Sequence, residues 1–125
     1  MRTLKMLIVL GIVASALHFA DNALELDRYT GPRWITPAGV VVSWLAVTAL
    51  AFAALLQRRP GIVFRLCTAL YAVLLLSGLL HYAFGPPMDM PLRSNLTVLV
   101  EACTGALLAA AWIAQTLRRR ERIVR

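Results

Sequence analysis

The chain has 125 residues, 60% of them hydrophobic, a formal net charge of +7 and a mean hydropathy of +0.73. Soluble domains are closer to half apolar, so an ordinary aqueous fold is excluded and helices solvated by lipid are expected. The positive charge is gathered at helix ends, which argues against nucleic-acid binding and for topology anchors beside anionic headgroups.

A membrane-spanning helix needs about 20 mostly apolar residues, and the first such run covers 4–24. Its start, "MRTLKMLIVLGIVASA", has the grammar of a secretory leader, with an A-x-A site at Ala14–Ala16. The apolar run continues past Ala16, so an uncleaved helix is expected. It ends in "LHFADN" (17–22), where His18, Asp21 and Asn22 share one helical face that Glu25 continues. The connection "ELDRYTGPRWI" (25–35) offers Tyr29 and Trp34 as interface anchors.

Thr36 before Pro37 reads as an N-cap followed by proline at the first helical position, opening a second span over 37–57. "QRRPG" (57–61) is a minimal turn, so spans two and three are expected to be antiparallel neighbours. The third span, 61–84, carries Ser77, Gly78 and His81 near its end. "GPPMDMPLR" (85–93) leads to Ser94, placed to cap a fourth span over 95–117. That span has Thr97, Glu101 and Thr104 on one face. Its Ala102, Gly105, Ala106, Ala109 and Ala110 form a small-residue stripe suited to close packing. Cys67 and Cys103 fall at different depths, so buried free thiols are expected rather than a disulfide.

Ten of the thirteen basic residues flank one side of these spans: Arg2, Lys5, Arg58, Arg59, Arg65 and the five arginines of "RRRERIVR". Five of the six acids fall on the other side. The positive-inside rule then gives an all-α, integral-membrane four-helix bundle, up-down-up-down, with N-terminus and C-terminus both cytoplasmic. It is a single domain over residues 1–125. A multi-pass protein of the bacterial cytoplasmic membrane is expected. The charge bias argues against a dual-topology transporter.

His18, Asp21, His81 and Glu101 all fall at outer-leaflet depth, on three different helices. Charged groups in hydrocarbon cost a few kcal/mol each and normally face the bundle interior, so a polar site between helices one, three and four is expected. As a metal site, His18, Asp21, His81 and Glu101 suit zinc, iron or manganese, and a hydrated ion there would support hydrolysis. Without metal, Glu101, His18 and His81 are the catalytic acid–base candidates. Asp21, Asn22, Thr97 and Thr104 would then bind a lipid-like ligand or an amphipathic amine. The four-span layout, with Pro32-Arg33-Trp34 ahead of the second span, resembles in architecture the sterol-isomerase-like EXPERA membrane proteins. A metal-free acid–base pocket opening sideways to lipid could also shift a double bond.

Two further chemistries fit the same residues. The histidines could be bis-axial haem ligands, and Glu101 could be the carboxylate of a proton-coupled transporter. Transport would require a homo-oligomer, because the inner half offers no polar path. The purely structural alternative has His18 donate to Glu101 and hold helices one and four together, as in an accessory subunit of a larger complex. An interhelical bond of that kind contributes about 0.6 kcal/mol.

Overall fold

The computed structural model describes residues 1–124, except for the side chains of residues 120 and 122–124. Arg125 and the Arg120 and Arg122 side chains of the basic tail lie outside the described residues. The chain is all-helical. The elements are α1 (Arg2–Leu24), a 3-10 turn (Leu26–Arg28), α2 (Pro37–Leu55), α3 (Ile62–Leu76), a second 3-10 turn (Ser77–Leu80), α4 (His81–Phe84), a third 3-10 turn (Pro87–Asp89) and α5 (Leu92–Val124). Four helices are long and apolar enough to cross a membrane: Arg2–Leu24, Pro37–Leu55, Ile62–Phe84 and Leu92–Arg119. α1 runs unbroken through Ala16.

α1 packs against α2 and α5, and α3 packs against the same two, so the helices close into a ring. Leu4 and Ile8 of α1, Phe64, Tyr71 and Leu75 of α3 and Leu108 of α5 are buried in the shared core. The small-residue stripe on α5 works only in part. A Cβ on Gly105 would lie 2.8 Å from Leu75 Cβ and 3.0 Å from the Ala72 carbonyl oxygen, so the bare glycine lets α3 approach. Ala106 and Ala110 face outward. So do Leu17, Val42, Val73 and Leu107, each more than half exposed. That apolar exterior suits lipid contact. Cys67 is half-buried and Cys103 exposed, both free. The expectation of a buried thiol thus fails at Cys103, which sits on the outward face of α5.

One end of the ring is tied by two long-range bonds. Lys5 Nζ donates to the Leu55 carbonyl at 2.6 Å, and Trp112 Nε1 donates to the Arg65 carbonyl at 3.0 Å. At the opposite end, the Thr36 side chain accepts from the Gly39 N–H at 3.1 Å, with Pro37 opening α2. α5 starts at Leu92, before the expected 95, because Pro91 can launch the helix and Asn95 N–H reaches the Pro91 carbonyl. Ser94 therefore lies inside the first turn rather than capping it. Asn95 Nδ2 fastens the proline-rich connection through the Pro87 and Met90 carbonyls.

Candidate functional site

The polar residues at the end of the bundle that carries the 25–36 and 85–91 connections separate into two clusters. The first surrounds Asp21, near the end of α1. Its Oδ2 accepts from the Tyr29 hydroxyl at 2.8 Å and from the Ser94 hydroxyl at 2.7 Å. Arg93 Nε lies 2.6 Å from Oδ1. Arg93 also reaches Glu25, which in turn pairs with Arg28. The charges alternate and largely cancel. Tyr29 is buried rather than an interface anchor, whereas Trp34 is 81% exposed. Burial, with the Asp21 carboxylate adding to it, pushes the Tyr29 phenol up to about 12. It therefore keeps its proton and donates. This cluster pins the 25–36 connection to α1 and α5.

The second cluster surrounds His18. Its Nδ1 is hydrogen-bonded to Glu101 Oε2, and the two residues are 2% and 1% exposed. The imidazole stacks on Tyr29 and meets the His81 ring edge-on, with centroids 5.4 Å apart. Gly78 makes room for the pair. A Cβ there would lie 3.0 Å from both Glu101 Oε2 and His18 Cε1. A carboxylate holding Nδ1 of an imidazole is the pairing used in general acid–base catalysis, where Nε2 exchanges the proton. Here Nε2 is buried without a partner, as are Glu101 Oε1 and Asn22 Oδ1.

His81 is held differently. Its Nδ1 donates to the Thr30 carbonyl at 2.7 Å, and the Thr30 hydroxyl donates back to the His81 carbonyl at 2.7 Å. Its Nε2 faces Asn22 Nδ2 at 3.3 Å. Both ring nitrogens are thus engaged by the protein.

The expected quartet of His18, Asp21, His81 and Glu101 does not assemble as a ligand set. Among the described residues, no group of three or more His, Cys, Asp or Glu side chains is arranged to hold a metal ion. The reason is local: Asp21 is committed to Tyr29, Ser94 and Arg93, and His81 has no free nitrogen. The same engagement leaves His81 no free nitrogen for a haem iron in this arrangement. Thr97 donates to the Ser94 carbonyl and sits 3.4 Å from the Tyr29 hydroxyl, so it belongs to the Asp21 cluster. Thr104 donates to the Val100 carbonyl of its own helix and joins neither cluster.

His18, Asn22 and His81 line a cavity of about 450 Å³. Its walls are Phe19 of α1, Gly39, Val40 and Ser43 of α2, Ser77, Gly78, Leu80 and Phe84 of the third span, and Pro32, Trp34, Ile35 and Thr36 of the connection. α2 therefore lines the site, which had been expected between helices one, three and four, while α5 supports it from behind through Glu101. A more polar recess adjoins the cavity, sharing Asn22, Pro32, Ile35, His81 and Phe84, and carries Asp27 and Arg33 on its rim. Sequence reading missed Tyr29, Thr30, Arg93 and Ser94 as site-building residues. The connection's hydroxyl groups were a visible signal, but their burial was not. Comparison with protein-family models, curated proteins and solved structures finds no match.

Proposed function

We propose that this chain is a small multi-pass membrane protein that binds a lipid-like small molecule in the cavity between α1, α2 and the 77–84 segment. His18, backed by Glu101, is its polar contact. The observation that carries this reading is His18 Nε2, a fully buried nitrogen without a partner on a ring that lines a largely apolar cavity. Leaving such a group unpaired costs about 1–3 kcal/mol, which a ligand's polar end would offset. Pockets of a few hundred Å³ with apolar walls and a few polar groups are the usual form of small-molecule sites.

The proposed orientation is up-down-up-down, with both termini and the Arg58–Arg59 turn in the cytoplasm and the cavity in the outer leaflet. Ten of thirteen basic residues on one side support it. A bacterial cytoplasmic membrane is the proposed location.

Native mass spectrometry of protein released from mild detergent tests the binding reading. A bound amphiphile near one per chain is expected, and it is lost in His18→Leu. Absence of any such species, or its equal retention in His18→Leu, overturns the reading. A stoichiometric metal in a chelator-free preparation, lost in His18→Leu, would replace it.

A further inference from the structure

The proton count of the His18–Glu101 pair decides which hydrogen-bonding group the cavity offers. Net charge in an apolar interior costs several kcal/mol per ion. Among the described residues, Glu101 has no ion-pair partner besides His18. The pair is therefore held without net charge. Three arrangements satisfy that condition. One of them, with the proton on Glu101 Oε1 and His18 Nδ1–H donating to Oε2, strands a buried hydroxyl hydrogen with no acceptor, at a cost of about 1–3 kcal/mol. Two remain. In one, an imidazolium faces a carboxylate. In the other, a protonated Glu101 donates to a bare Nδ1, and a neutral imidazole with a bare Nδ1 carries its hydrogen on Nε2. Both place a hydrogen on Nε2. His18 Nε2 is a donor wherever the shared proton sits, and no protein acceptor meets it.

Asn22 supplies the opposite group. The Thr30 carbonyl can only accept, so His81 Nδ1 carries the hydrogen and His81 Nε2 accepts from Asn22 Nδ2. That orientation of the amide leaves Asn22 Oδ1 as a buried acceptor with no donor. Asn22 follows His18 by four residues on α1, so the two share a face, and both line the cavity.

We propose that the cavity selects an uncharged amphiphile whose polar end both accepts and donates a hydrogen bond, a long-chain alcohol being the simplest. After small side-chain rotations that open these two atoms, now sealed beneath the cavity wall, the alcohol oxygen takes the His18 Nε2 hydrogen and its hydroxyl hydrogen goes to Asn22 Oδ1. A primary amide meets the same requirement. An ammonium brings no acceptor and adds a charge, so the amphipathic amine considered from sequence is the wrong headgroup. An ether accepts but cannot donate. The proposal rests on the ligand-binding reading above and adds its headgroup class.

The test uses full-length protein in nanodiscs and four probes of equal chain length: 1-decanol, decanamide, decyl methyl ether and decylamine. Trp34, on the cavity wall, reports saturable binding by its fluorescence. Decanol and decanamide are expected to bind about tenfold tighter than the ether and the amine, the effect of roughly 1.4 kcal/mol. Asn22→Leu is expected to abolish the preference for alcohol over ether. Because that variant also loses its contact with His81, ¹⁵N NMR of the two imidazoles in the unsubstituted protein provides a second readout. A protonated Nε2 on His18 and a bare Nε2 on His81 are expected. Equal binding of ether, amine and alcohol, or a bare His18 Nε2 at neutral pH, overturns the headgroup assignment and leaves ligand binding standing. Saturable binding by none of the four overturns both.

Discussion

At the residue scale, Asp21 and Glu101 show how two buried carboxylates on neighbouring helices take different work. Asp21 has three donors of its own and is satisfied within the fold. Glu101 has a single partner, His18, and keeps an oxygen unpaired. Removing Asp21 leaves the Tyr29 and Ser94 hydroxyls stranded. Asp21→Ala is accordingly expected to destabilise the protein by about 2–3 kcal/mol, read as a lowered thermal midpoint in detergent. Tyr29 adds a pH dependence. Its phenol titrates at about 12 in the folded protein against an ordinary value of about 10. The folded state therefore holds the proton more tightly. That contribution is complete below pH 10 and is lost as pH rises from 10 to 12. Thermal midpoints measured across this range should fall more steeply for the unsubstituted protein than for Tyr29→Phe. Depth counting along each span already placed His18 near Glu101. It could not show that Asp21 turns away, because Tyr29 and Ser94 carry no sign in sequence that they are buried.

At the scale of elements, the 3-10 turn at Ser77–Leu80 explains why His81, picked out by the sequence, does not join Glu101. A 3-10 turn advances about 120° per residue where an α-helix advances about 100°. Four such residues swing His81 by roughly 80° relative to an unbroken helix. The ring then meets Thr30 and Asn22 instead of joining Glu101 in a ligand set. The span itself was legible from its apolar length, while this internal change of pitch was not, since Leu and Gly permit either winding. The α3–α5 contact at Gly105 is less forgiving. An added methyl there meets backbone and Cβ atoms rather than the flexible tip of a side chain. Gly105→Ala is expected to cost about 1–3 kcal/mol, measured by thermal or denaturant unfolding in detergent. A cost below 0.5 kcal/mol would mean that α3 and α5 separate easily.

For the whole molecule, hydropathy alone located all four spans, because lipid solvation demands long apolar runs whatever the tertiary packing. The proposed orientation rests on the charge bias and is checked by labelling. With Cys67 and Cys103 replaced by alanine, Met88→Cys should react with a membrane-impermeant maleimide in intact cells. Arg59→Cys should react only after lysis. The reverse pattern would place the cavity in the cytoplasmic leaflet.

One structural feature reaches across the whole molecule. The 33 residues of α5 make a rod of about 50 Å, while the hydrocarbon core is about 30 Å thick. The same uninterrupted helix that places Glu101 behind His18 also carries Arg118 and Arg119 about 27 Å farther along. No hinge lies between the buried carboxylate and the basic end. Sliding that rod along its axis by one turn, about 5.4 Å, would therefore carry Glu101 and the two arginines the same distance.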